Sequence, residues 1–224
     1  MDKRQYGKAI MDYTRYIQIY PGYASAYNNR GLAYWFKGQY DAAITDYTKS
    51  IELNPKSARA HHNRGLVYLD EGQYMAAIAD FDRAIQLDPN YVDDAYSNKG
   101  RVLVKMGKFA EALICHNKAI SMCPGNPHYF VAKGFALEKM GEEKEAEAVY
   151  REALKVGIAG YALWRKAWVI YGKALAYGRL GDKENCLKAL RSSAKLLPRM
   201  KDRAKREEYL KEYWNDPDFV AIVE

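Results

Sequence analysis

Three asparagines recur at near-regular intervals, at Asn29, Asn63 and Asn98. An asparagine amide carries both donors and an acceptor, so amides stacked one interval apart suit the backbone of an extended peptide. The alternative interpretation is that each amide only hydrogen-bonds a neighbouring helix. The spacing therefore predicts either a peptide-binding ladder or a set of structural hydrogen bonds.

Other reactive residue types form no catalytic set. His61 and His62 are adjacent, so on a helix they point apart, and no carboxylate or cysteine completes a metal site. His116 stands where an aromatic is expected, which favours a packed imidazole. Three cysteines form no CxxC pair and are interpreted as reduced structural thiols. We therefore expect no enzyme activity, no metal and no cofactor.

The asparagines belong to a longer internal period of 34 residues. Three series of residues share this period: the glycines, the alanines and the prolines. All three series include one single-residue insertion near Val92. They are Gly31, Gly65, Gly100 and Gly134; Ala9, Ala43, Ala77, Ala112 and Ala146; Pro21, Pro55, Pro89 and Pro124. Such a period is typical of helix–turn–helix solenoids. Residues 40–53 agree, because their apolar positions form one helical stripe.

The repeats resemble the tetratricopeptide repeat (TPR) family. The second full repeat shows its pattern in Gly65, Tyr68, Gly72, Tyr74, Ala77, Phe81, Ala84 and Pro89. The resemblance implies an all-α, right-handed superhelical solenoid with a C-terminal capping helix. The tail, with its Asn215-Asp216-Pro217 segment, is similar to endings in bacterial members, which indicates a bacterial source.

The expected divisions follow the period. They are a half repeat at 1–23, consisting of a second helix only; repeats at 24–57, 58–92, 93–126 and 127–160; an irregular repeat at 161–198, with helices near 162–180 and 183–196; and a capping helix over about 199–213 followed by a tail to 224. Inward residues of the cap are expected to be Met200, Ala204, Tyr209, Leu210 and Tyr213. Tyr161, Trp164, Trp168 and Tyr171 form a helical stripe, either core or an exposed platform.

In this family the first helix of each pair lines a concave groove. The resemblance therefore implies peptide-binding positions, which map to Asn28, Asn29, Phe36, Arg59, His62, Asn63, Ser97, Asn98, Arg101 and Lys105. Of the adjacent Trp35 and Phe36, one is expected to pack and the other to reach the groove. Members that clamp acidic chaperone tails need lysines and asparagines of which only Asn63 is present, and Asp94 would repel the carboxylate.

Charge is concentrated in the C-terminal third. Residues 1–150 carry a net charge of +1, residues 151–211 carry +10 and residues 212–224 carry −4. The basic segment is interpreted as a solvated cap, with a docking patch for an acidic partner, or nucleic acid, as weaker alternatives.

The predicted function is a non-enzymatic, cytoplasmic scaffold that binds a protein or peptide in its groove. The alternative is a self-associating subunit that uses the open N-terminal half repeat. A homo-oligomer is possible on this basis, nucleic acid is unfavoured, and no membrane span or signal peptide is visible.

Overall fold

The computed structural model describes residues 3–88, 92–159, 162–198 and 200–224. Within these residues all regular structure is helical. Pro89, Arg199 and Tyr161, which entered the predictions above, lie outside the described residues, as does the side chain of Trp164. The chain divides into two compact units, Met1–Met106 and Gly107–Glu224.

The described residues of unit 1 form six helices, each packed on the next. They are α1 (Lys3–Ile19), α2 (Ala24–Phe36), α3 (Tyr40–Leu53), α4 (Ala58–Asp70), α5 (Tyr74–Leu87) and α6 (Val92–Lys105). The core repeats with the sequence period. Ala43, Tyr47 and Val67 form one buried cluster, and their counterparts Ala77, Phe81 and Val102 form the next. The internal period therefore predicts the composition of successive core layers.

Small residues and left-handed turns bring paired helices together in unit 1. A Cβ atom added at Gly31 would lie 3.0 Å from Cε1 of Tyr47, and one at Gly65 would lie 2.9 Å from Cε1 of Phe81. The turns between paired helices use Gly38 at φ +75° and Gly72 at φ +74°, where a residue with a side chain is strained. The glycines of unit 1 therefore serve two structural purposes, close packing of paired helices at Gly31 and Gly65 and left-handed turns at Gly38 and Gly72.

Unit 2 continues with helices and ends in shorter segments. They are α7 (Phe109–Met122), α8 (Pro127–Met140), α9 (Glu143–Lys155), α10 (Leu163–Arg179), α11 (Lys183–Leu196), α12 (Met200–Ala204), a 3₁₀ helix (Glu208–Tyr213) and α13 (Pro217–Val223). The long α10 and the bounds of α11 agree with the predicted irregular pair. His116 is fully buried, as expected of a packed imidazole.

The C-terminal cap differs from the expected single helix over 199–213. It is divided between α12 and the 3₁₀ helix, and the tail adds α13. The five inward residues predicted for the cap are all buried. The step of five residues from Ala204 to Tyr209 breaks a continuous helical stripe, so an interruption lets both ends bury their apolar side chains. Asp216 is the N-cap of helix α13, and its carboxylate accepts hydrogen bonds from the Asp218 and Phe219 amides.

The aromatic stripe of α10 packs inside unit 2. Tyr171 is fully buried and Trp168 is half-buried. The Arg203 guanidinium lies 4.4 Å from the centroid of the Trp168 ring, and the centroid of the His128 ring lies 4.3 Å from the same point. These contacts favour the core interpretation of the two described members over the exposed platform.

Candidate functional site

All ten predicted peptide-binding residues lie on α2, α4 and α6, the first helices of unit 1, which are spatial neighbours. Their exposure divides them into three groups. Phe36, Arg59 and Lys105 are exposed; Asn29, Asn63, Asn98 and Arg101 are half-buried; Asn28, His62 and Ser97 are buried. Only the first two groups are open to a ligand without rearrangement of the helices.

The asparagine amides connect α2 to α4. Nδ2 of Asn63 donates a hydrogen bond to Oδ1 of Asn28 at 3.0 Å, and Nδ2 of Asn28 donates to Oδ1 of Asn29 at 3.3 Å. Asn28 is 5% exposed and uses its amide entirely inside this chain. The bond from Asn63 to Asn28 therefore fits the interpretation that these amides hydrogen-bond a neighbouring helix. It joins two neighbouring repeats and fixes the orientation of Asn63.

The ends of this amide chain keep unused polar atoms. Among the described residues, Nδ2 of Asn29 and Oδ1 of Asn63 have no hydrogen-bond partner. On α6, Oδ1 of Asn98 accepts from Nη1 of Arg101 at 3.2 Å, and Nδ2 of Asn98 has no partner in that same part of the chain. Equivalent repeat positions of α2, α4 and α6 thus carry an unused donor, an unused acceptor and an unused donor.

His62 is unsuited to serve as a charged contact. Its ring packs edge-on against Phe81, with the centroids 5.6 Å apart. Burial lowers the pKa of His62 below its ordinary value, although the carboxylates of Asp94 and Asp93 oppose the change. The imidazole is therefore neutral near pH 7, and its predicted role in peptide binding stays a prediction.

An aromatic stack lies at the C-terminal end of α2. The Phe36 ring stacks on Tyr6 of α1, with the ring centroids 5.1 Å apart, and on Trp35, with the centroids 5.3 Å apart. Nε1 of Trp35 donates to Oδ2 of Asp70 at 2.7 Å, and Trp35 packs on the buried cluster of Tyr47. Phe36 remains 41% exposed. Trp35 is therefore the packing member of the pair, and Phe36 is the one with an accessible face.

Sequence reasoning missed a polar network that repeats in unit 1. Arg30 binds Asp46 through two hydrogen bonds of 2.7 Å and reaches Oγ1 of Thr14 at 3.1 Å. One period later, Arg64 binds Asp80 at 2.7 and 2.9 Å and reaches Oγ1 of Thr48 at 2.9 Å. These residues recur at intervals of 34 residues, so the internal period of the sequence could have revealed the network.

The network changes in the third repeat position. Lys99 replaces the arginine and pairs with Asp82 at 2.6 Å. Asp82 stands in the register of Thr14 and Thr48, while the register of Asp46 and Asp80 is occupied by Cys115 in the sequence. In this third pair the carboxylate thus occupies a different repeat position from Asp46 and Asp80, whereas the cation occupies the same repeat position as Arg30 and Arg64. Each of these pairs joins a first helix to a neighbouring second helix.

Some of the basic side chains on and near α10 and α11 are paired. Arg179 bonds the Glu138 carboxylate, Nζ of Lys183 lies 2.7 Å from Oδ2 of Asp216, and Arg203 lies over Trp168. The paired side chains are consistent with a structural cap. Across the ranges that the structure describes, no three His, Cys, Asp or Glu side chains are grouped to hold a metal, and no helix is long and apolar enough to cross a membrane.

Comparisons with known proteins agree with this architecture. Two family models, both described as tetratricopeptide repeat, match residues 28–92 and residues 93–126 and 127–156. No curated protein sequence matches the chain. Among solved structures, MamA is 30% identical over 69% of this chain and 94% of its own, with a TM-score of 0.61.

Two further structures share the fold at lower identity. YrrB, described as a TPR protein with an unusual peptide-binding site, is 21% identical over 87% of this chain and 98% of its own, with a TM-score of 0.56. A tetratricopeptide repeat protein from Parabacteroides merdae ATCC 43184 is 20% identical over 95% of this chain and 80% of its own, with a TM-score of 0.66. With the repeated helix pairs and their glycine–aromatic contacts, these matches show that the chain belongs to the tetratricopeptide repeat family.

Proposed function

We propose that the protein is a non-enzymatic interaction scaffold that holds an extended segment of a partner protein across α2, α4 and α6. Membership of the TPR family supports a protein-binding role in general. The observation that carries the finer proposal is the row of unused amide atoms on Asn29, Asn63 and Asn98. Such atoms pair with peptide backbone groups regardless of the ligand side chains.

The fixed orientation of Asn63 strengthens this proposal. Its bond to Asn28 commits the Nδ2 atom, and Oδ1 has no hydrogen-bond partner among the described residues. A side chain held in place before binding loses less conformational entropy when the ligand arrives. The structural hydrogen bond and the ligand contact are therefore compatible uses of the same amide.

Side chains at the edges of this face define the ligand further. Phe36 offers an accessible ring at one end, which suits an apolar ligand side chain. Arg59 and Lys105 are exposed cations, and Asp94 is an exposed anion on α6. Mixed charge of this kind fits a ligand of mixed character, and Asp94 opposes a ligand that places a carboxylate beside it.

The test is capture of partners on the immobilised protein, followed by affinity measurements with the captured protein. Replacing Asn63 with Ala is expected to weaken binding by ~1–2 kcal/mol, because the partner loses a hydrogen bond in a partly buried site. Asn117 is an exposed asparagine on α7, so Asn117→Ala is the matched control and should bind like the wild type. Equal affinities for the Asn63→Ala variant, the control and the wild type would refute the proposal that the partner binds across α2, α4 and α6.

A further inference from the structure

Phe36 and Asp70 are joined through Trp35 at the C-terminal ends of α2 and α4. The rings of Phe36 and Trp35 stack with their centroids 5.3 Å apart, and Nε1 of Trp35 donates a hydrogen bond to Oδ2 of Asp70 at 2.7 Å. Both Phe36 and Asp70 are exposed. An accessible aromatic ring and an accessible carboxylate therefore flank the same indole.

These two side chains stand on the same side of their helices as the asparagines of the proposed binding face. Phe36 follows Asn29 by seven residues on α2, and Asp70 follows Asn63 by seven residues on α4. Seven residues make about two turns of an α-helix, a rise of about 10 Å. A segment that contacts Asn29 and Asn63 can therefore reach the ring and the carboxylate as well.

Only one carboxylate oxygen of Asp70 is used within the described residues. Oδ2 accepts from the Trp35 indole, and Oδ1 has no hydrogen-bond partner there. Two exposed lysines, Lys37 directly after α2 and Lys105 at the end of α6, make no ion pair with Asp70. The indole N–H is neutral, so it orients the carboxylate before a ligand arrives without compensating its charge.

The contact between Trp35 and Asp70 does not follow the internal period. One repeat later the same two positions are occupied by Leu69 and Lys105, which cannot form such a bond. The arginine–aspartate pairs, by contrast, are present in both repeats. The next repeat is thus built without the indole–carboxylate contact, which leaves Asp70 available for a ligand.

We propose that the segment bound across α2, α4 and α6 carries an arginine that is recognised by Phe36 and Asp70; this inference rests on the proposed function and deepens it. The guanidinium donates to Oδ1 of Asp70, and the methylene stem packs on the exposed part of the Phe36 ring. Lys105 on α6 repels the guanidinium, so the arginine lies on the α2 side of Asp70.

Other residue types satisfy the two side chains less completely. The ammonium group of lysine is a compact point charge and does not stack on rings as the planar guanidinium does. An apolar side chain would cover Phe36 and leave the Asp70 carboxylate beside it without a partner, and a glutamate would be repelled. Arginine is therefore the residue that fits both.

Phage display of random dodecapeptides on the immobilised full chain supplies the probes. Peptides selected by the wild type are expected to be enriched in arginine, and those selected by Asp70→Asn should lose the enrichment. Asparagine keeps an oxygen that accepts from Nε1 of Trp35 but carries no charge, so thermal unfolding of this variant should match the wild type. Asp41→Asn removes an exposed carboxylate from α3 and is the matched control, which should keep the enrichment.

Fluorescence anisotropy with individual selected peptides measures the pairwise dependence. Replacing the enriched arginine with alanine should weaken binding to the wild type about tenfold and to Asp70→Asn about twofold, because the charge pair is already absent from that variant. Phe36→Leu keeps an apolar side chain but removes the ring, and should weaken binding of the arginine peptide about threefold.

The outcomes separate this inference from the proposed function. Peptides that bind more weakly to Asn63→Ala but show no arginine enrichment dependent on Asp70, or are enriched in another residue type instead, would overturn the arginine site and leave the binding face in place. Selection of no peptide, or of peptides indifferent to Asn63→Ala, would overturn both. Arginine enrichment that depends on Asp70, in peptides whose affinity also depends on Asn63, supports the inference.

Discussion

Asp80 shows how a single residue joins two helices in this fold. Its carboxylate receives hydrogen bonds from Arg64, and Nδ1 of His61 lies 2.9 Å from Oδ1. Burial alone would raise the pKa of Asp80, but the hydrogen bonds and charges of Arg64 and His61 outweigh burial and hold the pKa below its usual range. The carboxylate therefore stabilises the folded state only while it is ionised.

This linkage predicts a defined effect of pH. A carboxylate with a lower pKa in the folded than in the unfolded state contributes stability above the unfolded pKa of about 3.9, and loses it as the pH falls through the folded pKa. Replacing Asp80 with Asn should lower the free energy of unfolding by about 3 kcal/mol at pH 7, because Arg64 keeps a partly buried charge without its partner. Urea unfolding between pH 2 and 7 measures both the loss and the pH dependence.

The matched control is Asp82, whose side chain is 41% exposed in its pair with Lys99. Asp82→Asn should cost less than about 1 kcal/mol. Equal losses for the two variants, or an Asp80→Asn protein that keeps the wild-type slope below pH 4, would contradict the assigned role of Asp80.

For the polar side chains of unit 1, the sequence predicts the helix on which a residue lies better than it predicts the hydrogen-bond partner of that residue. The period locates Asn28 and Asn63 on first helices, and the family pattern assigns both to the ligand face. The bond between them depends on side-chain rotamers and on the separation of α2 and α4, which periodicity does not contain. The arginine–aspartate pairs could have been found, because cation and anion recur in fixed registers 16 residues apart.

At the scale of elements, close packing of a glycine against an aromatic ring sets the distance between paired helices. Gly65 meets the fully buried ring of Phe81, whereas Gly7 in α1 has no atom within 4 Å of a Cβ placed on it. Both glycines lie inside helices, where glycine is less favourable than alanine. The same substitution should therefore act in opposite directions at these two sites.

Gly65→Ala is expected to destabilise the protein by about 1–2 kcal/mol, because a buried ring must move to admit the methyl group. Gly7→Ala should stabilise it by about 0.5–1 kcal/mol through the intrinsic preference for helix. Thermal unfolding followed by circular dichroism compares the two variants. A stabilised Gly65→Ala protein would mean that the glycine–aromatic contact tolerates more space than the structure indicates.

Element boundaries were predictable where glycine or proline marks the end of a helix and less so elsewhere. Helix α11 and the length of α10 follow from the pattern, since glycines and a proline mark their ends. The cap does not, because α12, the 3₁₀ helix and α13 are too short to show a helical stripe. The Asp216-Pro217 pair was the available signal for α13, as an N-cap residue followed by proline at the first helical position.

At the scale of the whole molecule, one repeated helix pair explains the proposed binding face. The first helices of unit 1 carry the amides of the asparagines and the exposed Phe36, Arg59 and Lys105. The period predicts the family and which positions share a face. It does not predict the identity of a ligand, since the same helical repeats are compatible with many surface residues.

The central claim is that partners bind on the face of α2, α4 and α6. Site-specific photo-cross-linking tests it most directly, with a benzophenone amino acid in place of exposed Arg59 on α4 or of exposed Arg83 on α5. Both positions carry arginine and lie in unit 1, so they differ mainly in the face that they report. We expect a captured partner to cross-link at position 59 and not at position 83. Cross-linking at position 83 alone, or equally at both, would contradict the account.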